Sequence, residues 1–441
     1  MAFTQFIAVG SGFVSMAMLS HLGKEVLAAS ALIFSTRIAI LLIGSSILFA
    51  LSILVGHAYG EKDHQRIGNF AQQGWLLGLL LSLPIMLLFW KMRVIFIALG
   101  QDRYITDITQ DFFNANIWNV PAFLLSVANQ QLCYGVQKQK IDLWGNVLGM
   151  PILFLSAYAL IFGHFGFHAL GVAGLGYALN LQGWFYCLFT LTIFCFNNDF
   201  KSFQLFSFRL HKHYHDLLRM LKIGWPIAVQ ISGELLSFVA STAIVGWLGA
   251  PSLAAYQVVM QYLFLVLVPL FAIAQASGVL VGKAYGEKNY FKIKAIGHAG
   301  VLFSIIISVI VAGIFMAYPK ALASLYLNIH NPANAEILHF IVILFIILGI
   351  QQIIDGARNI FTGALRGMFD TQFPMIVGLI VIWIIGLPLG YFMAFNLHWG
   401  VYGVETGITL GLLIGAIILT MRWHYFNKKL QYRALESLPS M

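Results

Sequence analysis

The block Val55-Gly56-His57-Ala58-Tyr59-Gly60-Glu61-Lys62 returns 226 residues later as Val281-Gly282-Lys283-Ala284-Tyr285-Gly286-Glu287-Lys288. Only His57 against Lys283 differs. The same offset carries Leu22-Gly23 onto Leu248-Gly249 and Leu27-Ala28-Ala29 onto Leu253-Ala254-Ala255, so residues 22–74 and 248–300 share one register. Whatever one half of such a chain folds into, the other half repeats. A duplicated, apolar chain is how many secondary transporters are built, with the substrate site between the halves.

The chain is 60% hydrophobic and 9% charged, far from the balance of a soluble domain. Its apolar runs reach the roughly 20 residues that cross a bilayer core. Spans are expected near 1–21, 27–57, 74–98, 111–136, 143–163, 169–196, 222–247, 253–283, 296–318, 335–365, 372–396 and 400–422, which makes twelve. The first apolar stretch leads straight into the first copy, so no cleavable signal peptide is expected. With this layout Lys62, Arg66, Lys138, Lys140, Lys201, Arg209, Lys212, Arg219, Lys222, Lys283, Lys288, Lys292, Lys294, Arg366, Arg422, Lys428, Lys429 and Arg433 fall on the side of both termini. Lys24, Lys91, Arg93, Arg103 and Lys320 fall on the other. That bias predicts cytoplasmic termini in a plasma (inner) membrane, and makes the net charge of +9 a topology signal rather than a nucleic-acid one. Cys133, Cys187 and Cys195 lack metal-ligand or disulfide spacing and read as small apolar residues.

Six spans per copy bring each half back to the side it started from, so the repeats run parallel. The expected division is an N-lobe over 1–196, a cytoplasmic linker over 197–221, a C-lobe over 222–422 and a cytoplasmic tail over 423–441. The linker holds His211, His213 and His215. Alternate histidines share a face only on an extended strand, and a solvated interfacial stretch is the expectation here. No feature requires a dimer, and the chain reads as a monomer.

An acid inside a bilayer is costly and marks a functional hypothesis. Of the sixteen acids, most fall in loops or at span ends, and Glu234 and Asp355 alone read as deep. Glu234 lies about 18 Å along its helix from Lys222, and Asp355 about 17 Å from Arg366. Both reach the midplane of a core of roughly 30 Å. Two carboxylates at one depth can load and release a proton, or hold a sodium ion or an organic cation. If one occupant excludes the other, the outcome is antiport. Against this stands Arg358, three residues after Asp355 on the same helical face. A tight pair would keep Asp355 ionised and make it a poor proton carrier.

Other polar residues fall near the same depth: Gln257, Gln261, Gln351 and Gln352 in the second half, and Asn180, Gln182, Asn129, Gln130 and Gln131 in the first. Each either lines a cavity or makes ordinary interhelical hydrogen bonds. Arg37 has no acid at helical spacing. Pro84, Pro121, Pro151, Pro226, Pro269, Pro374 and Pro388 interrupt spans where bends are tolerated.

Together these pieces resemble the multidrug and toxic compound extrusion (MATE) family over nearly the whole chain. The resemblance rests on Trp225-Pro226 to Glu234, Leu248-Gly249, Leu253-Ala254-Ala255, Gln257 and Val281-Gly282 to Gly286. It rests also on Asp355 followed by Gly363-Ala364-Leu365-Arg366-Gly367, Asp370-Thr371 and Pro374, and on Gly171-Val172-Ala173-Gly174 echoed by Gly400-Val401-Tyr402-Gly403. It implies an all-α polytopic membrane protein, twelve helices in two six-helix lobes forming a V. It also implies export of organic cations by proton or sodium antiport, with no enzyme activity and no cofactor. Glu234 and Asp355 match the span-seven and span-ten acids of the NorM-like and eukaryotic-like pattern, which makes them the expected coupling-ion and substrate residues and a possible sodium site.

Three departures stand out. Ser15 occupies the place where bacterial members often carry a span-one acid, as Ser241 does in the second copy. Arg358 is an unusual charge beside the span-ten acid. Met1 aligns with Ile227, so a counterpart of Pro226 would precede it, and span one reads as short. The alternative function is a flippase for a lipid-linked precursor, which calls for several basic cavity residues where only Arg37 and Arg358 are available. A membrane-embedded transferase would need clustered aspartates for magnesium, and the sequence has none.

Overall fold

A bilayer core offers backbone N–H and C=O groups no partner except each other, and helices satisfy that demand within one segment. The computed structural model describes residues 12, 14, 15, 18, 19, 21–207 and 214–436, and among them there is no strand. The chain divides into two units, Phe3–Ala228 and Val229–Met441.

In the first unit the helices are α1 (Lys24–Ser46), α2 (Phe49–Gly60), α3 (His64–Trp90), α4 (Arg103–Asn116), α5 (Asn119–Gly135), α6 (Gln139–Phe162) and α7 (Gly171–Phe196). Most of the expected first span lies outside the described residues. The expected fourth span is broken into α4 and α5, and the break falls just before Pro121. Proline has no N–H to return to the preceding turn. Residues 198–207, expected to be a solvated linker, instead pack down: Phe200, Phe203 and Leu205 are buried. Gln72 of α3 donates to the Leu205 carbonyl at 3.0 Å and to Ser207 Oγ at 3.1 Å. His211 and His213 lie outside the described residues, and His215 is exposed.

The second unit is built on α8 (Tyr214–Gly246), which starts before the division, then α9 (Ala250–Gly286), α10 (Tyr290–Ala317) and α11 (Ala335–Gly367). The eleventh span opens as α12 (Gln372–Leu379), widens into a π-helical stretch over Ile380–Gly386 and closes as α13 (Leu387–Phe395). Pro388 accounts for the irregularity, since it cannot donate to the carbonyl a turn earlier. The last helix, α14 (Val401–Glu436), continues past the expected span end, with Trp423 fully buried. Among the described residues ten helices are long and apolar enough to cross a membrane. The halves of the broken fourth span fall short of that length.

The duplication shows in the turns. Gly23 and Gly249 both adopt positive φ, at 127° and 106°, and Lys62 and Lys288 both turn left-handed, at 59° and 55°. After each lysine an N-cap follows: Asp63 accepts from the Arg66 N–H, and Asn289 from the Lys292 N–H. Gly171 and Gly400, at 54° and 57°, open α7 and the last span in the same way.

Two apolar clusters fill the second unit. One holds Tyr256, Tyr262, Phe315, Phe345 and Leu348, and the other Val281, Phe361, Leu365, Leu419 and Trp423. On α11 the first stops at Leu348 and the second starts at Phe361. The polar residues fall in the gap.

Candidate functional site

Three turns of α11 supply most of that polar layer. Asp355 and Arg358 are spaced i, i+3, so they share a face, and the guanidinium Nε donates to Asp355 Oδ1 at 2.6 Å. The same guanidinium reaches α8, where Nη1 and Nη2 each donate to Glu234 Oε1 at 3.2 Å. One buried cation therefore holds both acids. Exposures of 3% for Arg358 and 7% for Asp355 keep water from competing for it.

The network is closed at both ends. Asn359, one turn after Asp355, donates to Asp355 Oδ2 at 2.8 Å. Gln230, one turn before Glu234, donates to Glu234 Oε1 at 3.1 Å, and its own oxygen accepts from Arg366 Nη2 at 2.8 Å. Gly415 of α14 stands beside the Arg358 stem, where a Cβ would make ordinary contact with Arg358 Cδ at 3.5 Å. Trp383, in the π-helical stretch, donates to the Gly233 carbonyl at 3.1 Å and ties that irregular segment to the helix of Glu234. Two carboxylates and two guanidinium groups balance in formal charge, the condition under which buried ions are tolerated.

The sequence anticipated Glu234, Asp355 and Arg358, and the structure brings them together. It did not anticipate Gln230 or Arg366. Gln230 carried a usable signal, an amide four residues before a buried acid. Arg366 was read only as a cytoplasmic flanking charge. Glu234 and Asp355 are not the most buried acids, because Asp142 and Glu405 are 0% and 1% exposed. Both stand near the start of a helix, so counting along the span placed them at its end. Lateral packing buries them nonetheless. Gln351 is buried against Glu405. Gln352 is fully buried, and neither its amide nitrogen nor its oxygen has a hydrogen-bond partner. Gln257 and Gln261 are exposed on one face of α9.

In the first unit Arg37 meets amides instead of an acid: Nε donates to Asn116 Oδ1 and Nη2 to Asn119 Oδ1, both at 3.1 Å. These two asparagines flank the break between α4 and α5. They in turn donate to the Gly176 and Leu179 carbonyls of α7, while Asn180 donates back to Ala115 O. Arg37 and Asn180 thus hold a broken helix in register. Gln182 is partly buried against α6 near Gly149. Asn129 bridges the Trp75 indole and Thr190, at 2.6 and 2.8 Å.

Asp142 is satisfied differently. Its Oδ2 accepts from the Tyr134 hydroxyl at 2.6 Å, and its Oδ1 from Tyr186 at 2.7 Å, Asn146 at 2.9 Å and Gln130 at 3.1 Å. An asparagine there replaces one acceptor by a donor, so one of these groups loses its partner. Asp142→Asn is expected to cost about 1–3 kcal/mol, read as a lower unfolding midpoint in detergent. An unchanged midpoint would show that the carboxylate is not what the cluster needs.

The MatE family model matches residues 1–159 and 226–392. A probable multidrug resistance protein NorM of Synechocystis is 30% identical over 96% of this chain and 92% of its own length. Another, from Agrobacterium fabrum, is 29% identical over 96% and 91%. Among solved structures, a MATE protein in a bent conformation superposes with a TM-score of 0.89 at 17% identity, covering 98% of this chain and 94% of that one. The eukaryotic MATE transporter AtDTX14 gives 0.84 at 19%, covering 98% and 96%. The chain belongs to the MATE family: it is a multi-pass integral membrane transporter, not an enzyme.

Proposed function

We propose that this protein exports organic cations by secondary antiport against protons or sodium, through alternating access of its two lobes, with Glu234 and Asp355 as the exchange site. The proposal extends to a monomer in the plasma (inner) membrane with both termini in the cytoplasm. The NorM names of its relatives support the multidrug part. The observation that carries the rest is Arg358 held between Glu234 and Asp355. A buried and a half-buried acid with a tethered cation form a site in which an incoming cation competes with the guanidinium. A substrate or a sodium ion takes the carboxylate oxygens as Arg358 withdraws, and its departure lets the internal pair reform. Neutralised in this way, Arg358 is a poor receptor for an anionic lipid, which weighs against the flippase reading.

The test is uptake of ethidium by purified protein in liposomes, under a proton or a sodium gradient imposed separately. Wild type is expected to respond to one gradient. Glu234→Gln and Asp355→Asn are each expected to lose about nine-tenths or more of the rate, because a neutral amide cannot exchange one cation for another. Full activity in both variants would sink the carboxylate mechanism.

A further inference from the structure

Arg358 already occupies oxygens of both Glu234 and Asp355. The second unit contains another buried acid that has no such partner. Glu405, on α14, is 1% exposed, and its Oε2 has no hydrogen-bond donor. It follows Val404, a member of the first apolar cluster, on the same helix.

The groups around it are neutral. From α11 comes Gln351, whose amide lies against the carboxyl and whose oxygen receives the Thr409 hydroxyl at 3.4 Å. From α9 comes the buried phenol of Tyr256, paired with the Ser241 hydroxyl. Tyr402 is on the same helix. Neither α12 nor the π-helical stretch carries a titratable residue, and Tyr391 of α13 is exposed. Of α10, the charged residues Lys292 and Lys294 stand near its opposite end, as does His298, which faces His424. Among the described residues no cation is paired with Glu405. An ionised carboxylate in that setting would be uncompensated, at a cost of several kcal/mol. A neutral carboxylic acid would not. Gln351 is also one helical turn from Asp355, so the two sites share a face of α11.

We infer that Glu405 is the proton-binding carboxyl of the transport cycle, with Gln351 as the residue that links its protonation to the Glu234–Arg358–Asp355 exchange site. The inference rests on the antiport reading for its role, though not for the proton itself. In the loaded state the proton sits on a Glu405 oxygen. When it leaves, the resulting carboxylate needs compensation, and the group already against it is the Gln351 amide, one turn from Asp355 on the helix of Arg358. Deprotonation, relayed through Gln351, loosens the guanidinium from Glu234 and Asp355 and frees their oxygens for a cationic substrate. Reprotonation returns Arg358 and expels that substrate.

The direct test is infrared difference spectroscopy of the purified full-length protein between acid and alkaline pH, in wild type and Glu405→Gln. A carboxylic C=O band present at neutral pH in wild type and absent from the variant is the expected result. A band that survives in Glu405→Gln, or no band in wild type, overturns the proposal. Its coupling role is read separately. On adding ethidium to weakly buffered protein, wild type should release about one proton per molecule bound and Glu405→Gln none. The variant should also lose about nine-tenths of proton-driven transport in liposomes while still binding ethidium. Gln351→Leu should keep the band and lose the proton release, whereas a Glu405→Gln protein that transports at the wild-type rate removes Glu405 from the cycle. Should wild type transport under neither gradient, the antiport reading falls, and the infrared band alone decides whether Glu405 holds a proton.

Discussion

Arg358→Met is expected to destabilise the second unit by about 3–5 kcal/mol, the loss seen when one partner of a buried ion pair is removed and the other is left charged. The number follows from the arrangement more than from the pair energy. Arg358 satisfies oxygens of Glu234 and Asp355 together, at 3.2 and 2.6 Å. Methionine fills similar volume and donates nothing. Both acids are then left without the cation that bonds them. The comparison that isolates this cause is the triple variant Glu234→Gln, Asp355→Asn, Arg358→Met, in which no carboxylate is left without its cation and Arg366 keeps its hydrogen bond to Gln230. Replacing a whole buried charge cluster with neutral groups is often close to neutral for stability, so the triple variant should recover most of the loss. Unfolding midpoints in detergent for wild type, Arg358→Met and the triple variant would show it. If Arg358→Met unfolds like wild type, the guanidinium is not holding the acids, and the exchange mechanism loses its basis.

How far the sequence goes toward this site depends on the kind of information each residue carries. The 226-residue repeat predicts a local geometry twice, and the paired left-handed turns at Lys62 and Lys288 follow it, while Gly171 and Gly400 match at a slightly longer offset. Gln137 and Phe369 form another matched left-handed pair, at 63° and 64°. Neither is a residue that favours such a turn, so only position after Gly135 and Gly367 could have signalled it. Depth along a span is equally legible, because rise per residue is fixed, and it was enough to select Glu234 and Asp355. What it lacks is the lateral coordinate. Glu405 and Asp142 lie early in their helices, and nothing in a one-dimensional count reveals that Gln351 closes over one and two tyrosines over the other. Arg366 was misjudged for the same reason: a flanking arginine by count, it reaches Gln230 by direction. Gln257 and Gln261 show the converse, sharing a helical face as predicted yet exposed.

Gly363→Leu is expected to cost about 3 kcal/mol or more, the upper end of overpacking, because it would insert a side chain between backbones instead of between side chains. At this level α9 and α11 touch through glycines. A Cβ on Gly363 would overlap the Ala274 carbonyl oxygen, one on Gly278 would come 2.7 Å from the Gly363 carbonyl, and one on Gly367 would overlap that of Gly278. A carbonyl oxygen cannot swing aside as a methyl can, so the helices must part. Small residues are what let helices approach this closely in a membrane, where packing rather than the hydrophobic effect holds them together. The control is Gly313→Leu on α10, where a Cβ would meet nothing within 4 Å. There the substitution should be neutral or slightly stabilising, since glycine is the poorer helix former. Monodispersity and unfolding midpoints in detergent compare the two. Equal behaviour would mean that α9 and α11 are not seated on these glycines. Loss at Gly363 alone would locate the clamp that fixes α11, and with it Gln351, Asp355 and Arg358, against the rest of the second unit.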